Sequence, residues 1–172
     1  MNISGGHLLE ALRDQKIIVK NVVELLINSG WNFHAIAFTG ASGALIAPVV
    51  AHEMDKKLIL VRKEISGHSS AKVIGPRHNR NLNYIILDDL VASGTTIRNI
   101  YKEVSEFDSY LKCVGVILYS EYKKKNWISL KDGYQVPHLS FNVDKYYQSY
   151  DKAITCATMT FERPFDYFEA SW

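Results

Sequence analysis

The sequence predicts an α/β fold, a mostly parallel β-sheet with helices on both faces. Three observations predict it. Between residues 35 and 119, short β-favouring apolar runs alternate with segments of helical character. The runs are apolar almost throughout, as in strands covered on both sides. Most run into a polar or glycine-bearing turn, and successive parallel strands need a helix-sized crossover to return the chain.

The elements follow in order. Residues 5–29 carry Leu8, Leu9, Leu12, Ile17, Val22, Val23, Leu25 and Leu26 as a broad apolar stripe, which predicts one helix ended by Gly30. Residues 35–38 predict a short strand and residues 39–43 a tight loop. Residues 44–54 predict a small-residue helix with Pro48 in its first turns, where proline is tolerated. Residues 57–61 predict a strand. Residues 63–80 are polar and basic, with glycines and Pro76, and predict a long loop carrying a short strand near 71–74. Residues 84–87 predict a strand, 95–107 a helix with Ile97, Ile100 and Val104 at helical spacing, and 111–119 a continuous apolar strand.

The last third changes character. Lys123, Lys124 and Lys125 precede Trp127, and residues 134–172 hold ten of the chain's twenty aromatic residues. Alternation stops there. Two readings stand, a small C-terminal cover subdomain over residues 120–172 or an aromatic-rich edge packed on the sheet. On the first, residues 1–172 make one domain with its core at about 30–120, and the N-terminal helix can join the cover.

A chain of 172 residues, 47% hydrophobic and 22% charged, can bury a sizeable core. A formal net charge of +2 gives no case for nucleic acid or an anionic membrane. No apolar run reaches the length of a membrane span. The N-terminus lacks a basic region followed by an apolar core, so no signal peptide is expected. Cys113 and Cys156 stand outside any CxxC or Cys/His spacing and are read as free thiols. The six histidines show no zinc-like pairing.

Residues 84–96 carry the chemistry. Tyr84, Ile85, Ile86 and Leu87 run into two acids, Asp88 and Asp89, then Leu90, Val91 and a turn of Ala92, Ser93, Gly94, Thr95 and Thr96. Backbone N–H groups of Ala92 to Thr96 can converge on a phosphate, helped by the positive end of the following helix. Gly94 permits close approach, and the hydroxyls add donors. Asp88 and Asp89, acceptor-only groups, suit the hydroxyls of a ribose. The pattern describes a site for a phosphorylated sugar. Thr39, Gly40, Ala41, Ser42 and Gly43 form a second anion-binding candidate at a helix start. Arg62 and Lys63 place two cations at a strand end, one bidentate and one a movable point charge.

The 84–96 stretch resembles the motif that binds 5-phosphoribosyl 1-pyrophosphate (PRPP) in type I phosphoribosyltransferases. Residues 35–119 resemble orotate phosphoribosyltransferases most. The shared order is a strand, a TGxSG-like loop, a helix, a strand ending in Arg62-Lys63-Glu64, a mobile loop containing His68, the acid-pair motif, a helix and the strand Val114-Gly-Val-Ile-Leu118. The resemblance implies transfer of phosphoribose from PRPP to a nitrogen of a nucleobase, orotate-like or purine, with release of pyrophosphate. It assigns catalysis to Asp88, Asp89, Lys63 and His68, and the 5-phosphate to Ala92, Ser93, Gly94, Thr95 and Thr96. It assigns the pyrophosphate to Thr39, Gly40, Ala41, Ser42, Gly43, Arg62 and Lys63. Mg²⁺ is the implied cofactor, held by PRPP and through water by Asp88 and Asp89 rather than by direct protein ligation. A cytoplasmic homodimer is implied. The chain departs from the orotate pattern at Ser66, where those enzymes carry a further loop lysine. The alternative is a PRPP-sensing regulator of the same fold that does not catalyse.

Overall fold

The computed structural model describes residue 12 and residues 14–63, 71–77, 81–89, 93–120, 127–130 and 133–141. Among the described residues seven strands form the sheet: β1 (Ala35–Thr39), β2 (Lys57–Val61), β3 (Val73–Ile74), β4 (Leu82–Asp88), β5 (Leu111–Leu118), β6 (Trp127–Ser129) and β7 (Gln135–Ser140). Their order is β3-β2-β1-β4-β5-β7-β6. The five central strands, β2 to β7 in that order, pair in parallel, and β3 and β6 close the two edges antiparallel. The carboxyl ends of β1, β2, β4, β5 and β7 therefore point the same way.

Among the described residues the helices are α1 (Gln15–Ser29), α2 (Gly40–Glu53) and α3 (Thr95–Phe107). Side chains alternate between faces along a strand. Ala35, Ala37, Tyr84 and Ile86 share one face and one buried cluster with Ile97, Ile100 and Val104 of α3. Phe38 points to the other face, where Gly43 of α2 lies against it so closely that a Cβ there would stand 3.1 Å from the Phe38 Cβ. Gln15 at the start of α1 donates to the Leu45 carbonyl of α2 at 2.6 Å, tying the two helices together. The apolar triad of α3 is almost fully buried, worth about 2 kcal/mol per side chain.

A bulge in β5 keeps this arrangement in phase. Tyr84 pairs with Cys113, but Ile85 pairs with Gly115, so Val114 is the extra residue. The added residue lets Cys113 and Val116 face the same cluster. Gly115 faces the opposite side and lies under the Trp31 ring.

Several expected boundaries are corrected. The N-terminal helix does not run unbroken from 5 to 29, since α1 starts at Gln15 after a non-helical Asp14. Residues 1–11 lie outside the described residues. The expected 39–43 loop does not form. Thr39 is the last extended residue and α2 begins at Gly40, whose φ of +67° makes the turn in one step. Pro48 consequently sits inside α2 and not in its first turns, leaving the Ala44 carbonyl without its helical N–H. Within the last third, Trp127–Ser129 and Gln135–Ser140 supply β6 and β7 at one edge of the sheet. Residues 142–172 lie outside the described residues.

Candidate active site

The ends of β1, β2 and β4 carry Thr39, Arg62 with Lys63, and Asp88 with Asp89, and the start of α3 carries Ser93 to Thr96. Thr39 is buried at the end of β1, and its hydroxyl donates to the Val61 carbonyl at 2.6 Å, locking the ends of β1 and β2 together. The hydroxyl is thereby spent on the sheet and not on capping α2. The first-turn N–H groups of α2 have no intrahelical partner and face the cleft end of the helix. Ala41 is exposed, Ser42 half-buried and Gly43 buried against Phe38. Lys63 lies directly over this turn, its Cε and Nζ each 3.1 Å from where a Gly40 Cβ would stand.

Arg62 and Lys63 are held by the β2–β3 hairpin. The Arg62 N–H donates to the Lys72 carbonyl at 2.9 Å, and its Nη1 to the Ala71 carbonyl at 3.3 Å. Lys72 returns the contact, its Nζ donating to the Lys63 carbonyl at 3.0 Å. A cleft of about 320 Å³ opens beside them, lined by Thr39, Arg62, Lys63 and Lys72 on one side and Thr96, Asn99, Lys102 and Glu103 on the other. The described residues lining it do not include Asp88 or Asp89.

Asp88 ends β4 and is buried, while Asp89 is half-buried beside it. The Asp89 N–H donates to Asp88 Oδ1 at 3.0 Å, and the Tyr119 N–H donates to the Asp88 carbonyl at 3.3 Å. Burial, reinforced by the neighbouring Asp89 charge, pushes the Asp88 carboxyl up to about 7. The Asp89 N–H and the Lys63 charge pull the other way. Among the described residues no three metal-ligating side chains cluster. Two carboxylates at a strand end suit Mg²⁺, an ion that keeps most of its waters and takes its other oxygens from a phosphorylated substrate.

Ser93 to Thr96, part of the expected 5-phosphate loop, lead into the start of α3. Gly94 is buried with φ +76° and caps the helix. Ser93 Oγ and Thr95 Oγ1 are 2.8 Å apart, and the Thr95 N–H donates to Ser93 Oγ at 3.3 Å. Arg98 folds back on this turn, its Nη2 donating to the Ser93 carbonyl at 2.9 Å. Ala92 and His68 lie outside the described residues, as do Glu64 and Ser66. The sequence reading passed over Arg98 and Lys72. The spacing of Arg98 three residues after Thr95, on one helix face, was the available signal for the first. Lys72 is placed by strand pairing, Val61 opposite Val73, which the residue pattern alone does not specify.

No protein-family model matches the chain. The transcriptional regulator GfcR of Methanocaldococcus jannaschii is 30% identical over 97 residues, covering 53% of this chain and 46% of that protein. Among solved structures, the UMP synthase of Leishmania donovani matches with a TM-score of 0.57 at 19% identity, over 80% of this chain and 29% of that one. The adenine phosphoribosyltransferase of Thermoanaerobacter pseudethanolicus matches with a TM-score of 0.51 at 20% identity, over 75% of this chain and 83% of that one. The chain thus spans less than half the length of the regulator and under a third of the synthase chain. Its fold is that of the type I phosphoribosyltransferases.

Proposed function

We propose that this chain, on the type I phosphoribosyltransferase fold, binds PRPP with Mg²⁺ and transfers its phosphoribosyl group to a ring nitrogen of a nucleobase, orotate-like or purine. The observation that supports the reading best is Lys63 lying over the first turn of α2, at the end of β2, in a sheet whose parallel strand β4 ends in the buried Asp88. One cation there serves both ends of a substrate that joins a ribose to a pyrophosphate.

In this reading the bond from C1 of the ribose to the pyrophosphate oxygen breaks and a bond from C1 to the base nitrogen forms. Pyrophosphate leaves with the bonding electrons, and the nitrogen's proton passes to a carboxylate or to water. The amides of Gly40, Ala41, Ser42 and Gly43, with Arg62 and Lys63, stabilise the departing charge. Asp88 and Asp89 hold the ribose hydroxyls and set negative charge beside the cationic ribose. Ala92, Ser93, Gly94, Thr95 and Thr96 hold the 5-phosphate, with Arg98 bracing the Ser93 carbonyl. Mg²⁺, when bound, supplies further charge neutralisation on the pyrophosphate. His68 takes a catalytic role in this reading. A homodimer in the cytoplasm completes the proposal.

A screen of pyrophosphate release from PRPP tests it, with orotate, adenine, hypoxanthine, guanine, xanthine, uracil and nicotinate as acceptors. One base giving stoichiometric pyrophosphate and nucleotide is the expected result. A second reading, a PRPP-binding regulator without catalysis, draws on the sequence relative that is a transcriptional regulator and on Ser66. Saturable PRPP binding with no pyrophosphate release from any base would favour that reading.

A further inference from the structure

The β2–β3 hairpin carries a cation that the roles above leave unused. Lys72 stands opposite Arg62 across the antiparallel pair, since Val61 is in register with Val73. Its side chain turns back toward the end of β2, where Nζ donates to the Lys63 carbonyl at 3.0 Å. A carbonyl is a neutral acceptor, so the ammonium keeps its charge and two further N–H donors. Among the described residues no carboxylate pairs with it. Lys72 lines the same cleft as Thr39, Arg62 and Lys63, with Lys102 and Glu103 on the far wall. The basic side chains outnumber the single carboxylate there, so the cleft favours a multiply charged anion.

We propose that Lys72 is a pyrophosphate-binding residue, closing a three-cation clamp with Arg62 and Lys63. The inference rests on the PRPP reading above. It adds a residue that the resemblance does not supply, on the far stem of the segment in which Ser66 replaces a lysine. Arg62 and Lys63 approach from the end of β2. Lys72 enters from the β3 side, so the leaving group is held from two strands, and the Lys72 contact to the Lys63 carbonyl keeps its ammonium at the end of β2.

The test is calorimetric titration of inorganic pyrophosphate into the full chain, with and without Mg²⁺. The proteins compared are wild type, Lys72→Met, Lys72→Gln, Lys72→Arg and Lys112→Ala. Lys112 is exposed near the amino end of β5, away from the strand ends that form the cleft, and controls for net charge. Lys72→Gln keeps a donor for the Lys63 carbonyl while removing the charge. Removing one charge-assisted contact is expected to weaken pyrophosphate binding by about tenfold in Lys72→Met and Lys72→Gln. Lys72→Arg is expected to stay near wild type, as is Lys112→Ala. Wild-type affinity in Lys72→Gln would overturn the role of Lys72 and leave the PRPP reading standing. A loss in Lys72→Arg equal to that in Lys72→Met, with lowered melting temperatures, would make the residue structural and overturn the proposal too. Absence of pyrophosphate binding in the wild type would overturn both the role and the reading.

Discussion

Lys63 rests on Gly40: a Cβ at Gly40 would stand 3.1 Å from both Cε and Nζ of the lysine. The absent side chain at residue 40 is what allows the ammonium to lie over the first turn of α2. Gly30 has the same φ of +67° but no atom within 4 Å of its would-be Cβ. The two glycines therefore separate backbone strain from occlusion. Gly40→Ala and Gly30→Ala are each expected to cost about 1 kcal/mol of stability, from the left-handed backbone alone. Gly40→Ala alone is expected to weaken pyrophosphate binding, because Lys63 has to move. Equal affinities in the two variants, read by calorimetry, would contradict a role for the Lys63 position.

The buried Asp88 carboxyl sets a pH dependence of stability. Its folded value of about 7 lies above the ordinary 3.8, so the native state holds its proton over a range where the unfolded chain has released it. With more protons bound in the native state, stability falls as pH rises from 3.8 to about 7 and levels off beyond. Asp88→Asn cannot ionise and is expected to remove this slope, becoming more stable than wild type above pH 7 and no more stable near pH 4. Urea midpoints for the two proteins across that range give the answer. Parallel pH profiles would mean that Asp88 is not the group responsible.

Gly115 is needed for packing. A Cβ there would overlap three ring atoms of Trp31, which covers β5 just after α1 ends. Gly115→Ala is expected to cost about 2 kcal/mol, typical of overpacking a well-filled site, and to expose the indole. Red-shifted tryptophan emission together with a lower urea midpoint is the expected signature. Combining Gly115→Ala with Trp31→Leu should recover part of the loss, since the two residues are in contact and their effects are coupled. Strict additivity would place the cost elsewhere.

The parallel core was legible because its strands are short apolar runs that end in chemically distinct residues: Thr39, Arg62, and Asp88 with Asp89. Those junctions also carry the residues read as the candidate site. The entry to α2 was misread because the glycines and hydroxyls of residues 39–43 suit a loop as well as a first helical turn. The positive φ at Gly40 that decides between them leaves no trace in periodicity. The strands β6 and β7 were not resolved from sequence. Trp127–Ser129 is only three residues long, and Gln135–Ser140 contains Pro137, which ordinarily counts against a strand. The acid pair was legible as chemistry, but the raised Asp88 value was not, because it depends on how deeply β4 lies between β1 and β5.

Asp89 gives the test that separates catalysis from binding. It is half-buried beside Asp88, and its backbone N–H already serves Asp88 Oδ1, so its side chain is the acid of the pair more open to solvent. Asn at this position keeps the size and one oxygen acceptor but removes the charge that the proposed reaction sets next to the cationic ribose and the capacity to take a proton. Turnover is expected to fall by roughly 10²-fold, the range for a lost electrostatic or general-base group. The KM for PRPP should change far less, since an amide still bonds a hydroxyl. The melting-temperature increase given by PRPP with Mg²⁺ should survive in the variant, because that shift follows binding and not chemistry. Turnover near wild type would remove Asp89 from the reacting centre. A lost thermal shift with proportionate loss of turnover would make Asp89 a binding group for the ribose and leave Asp88 as the acid that stabilises the transition state.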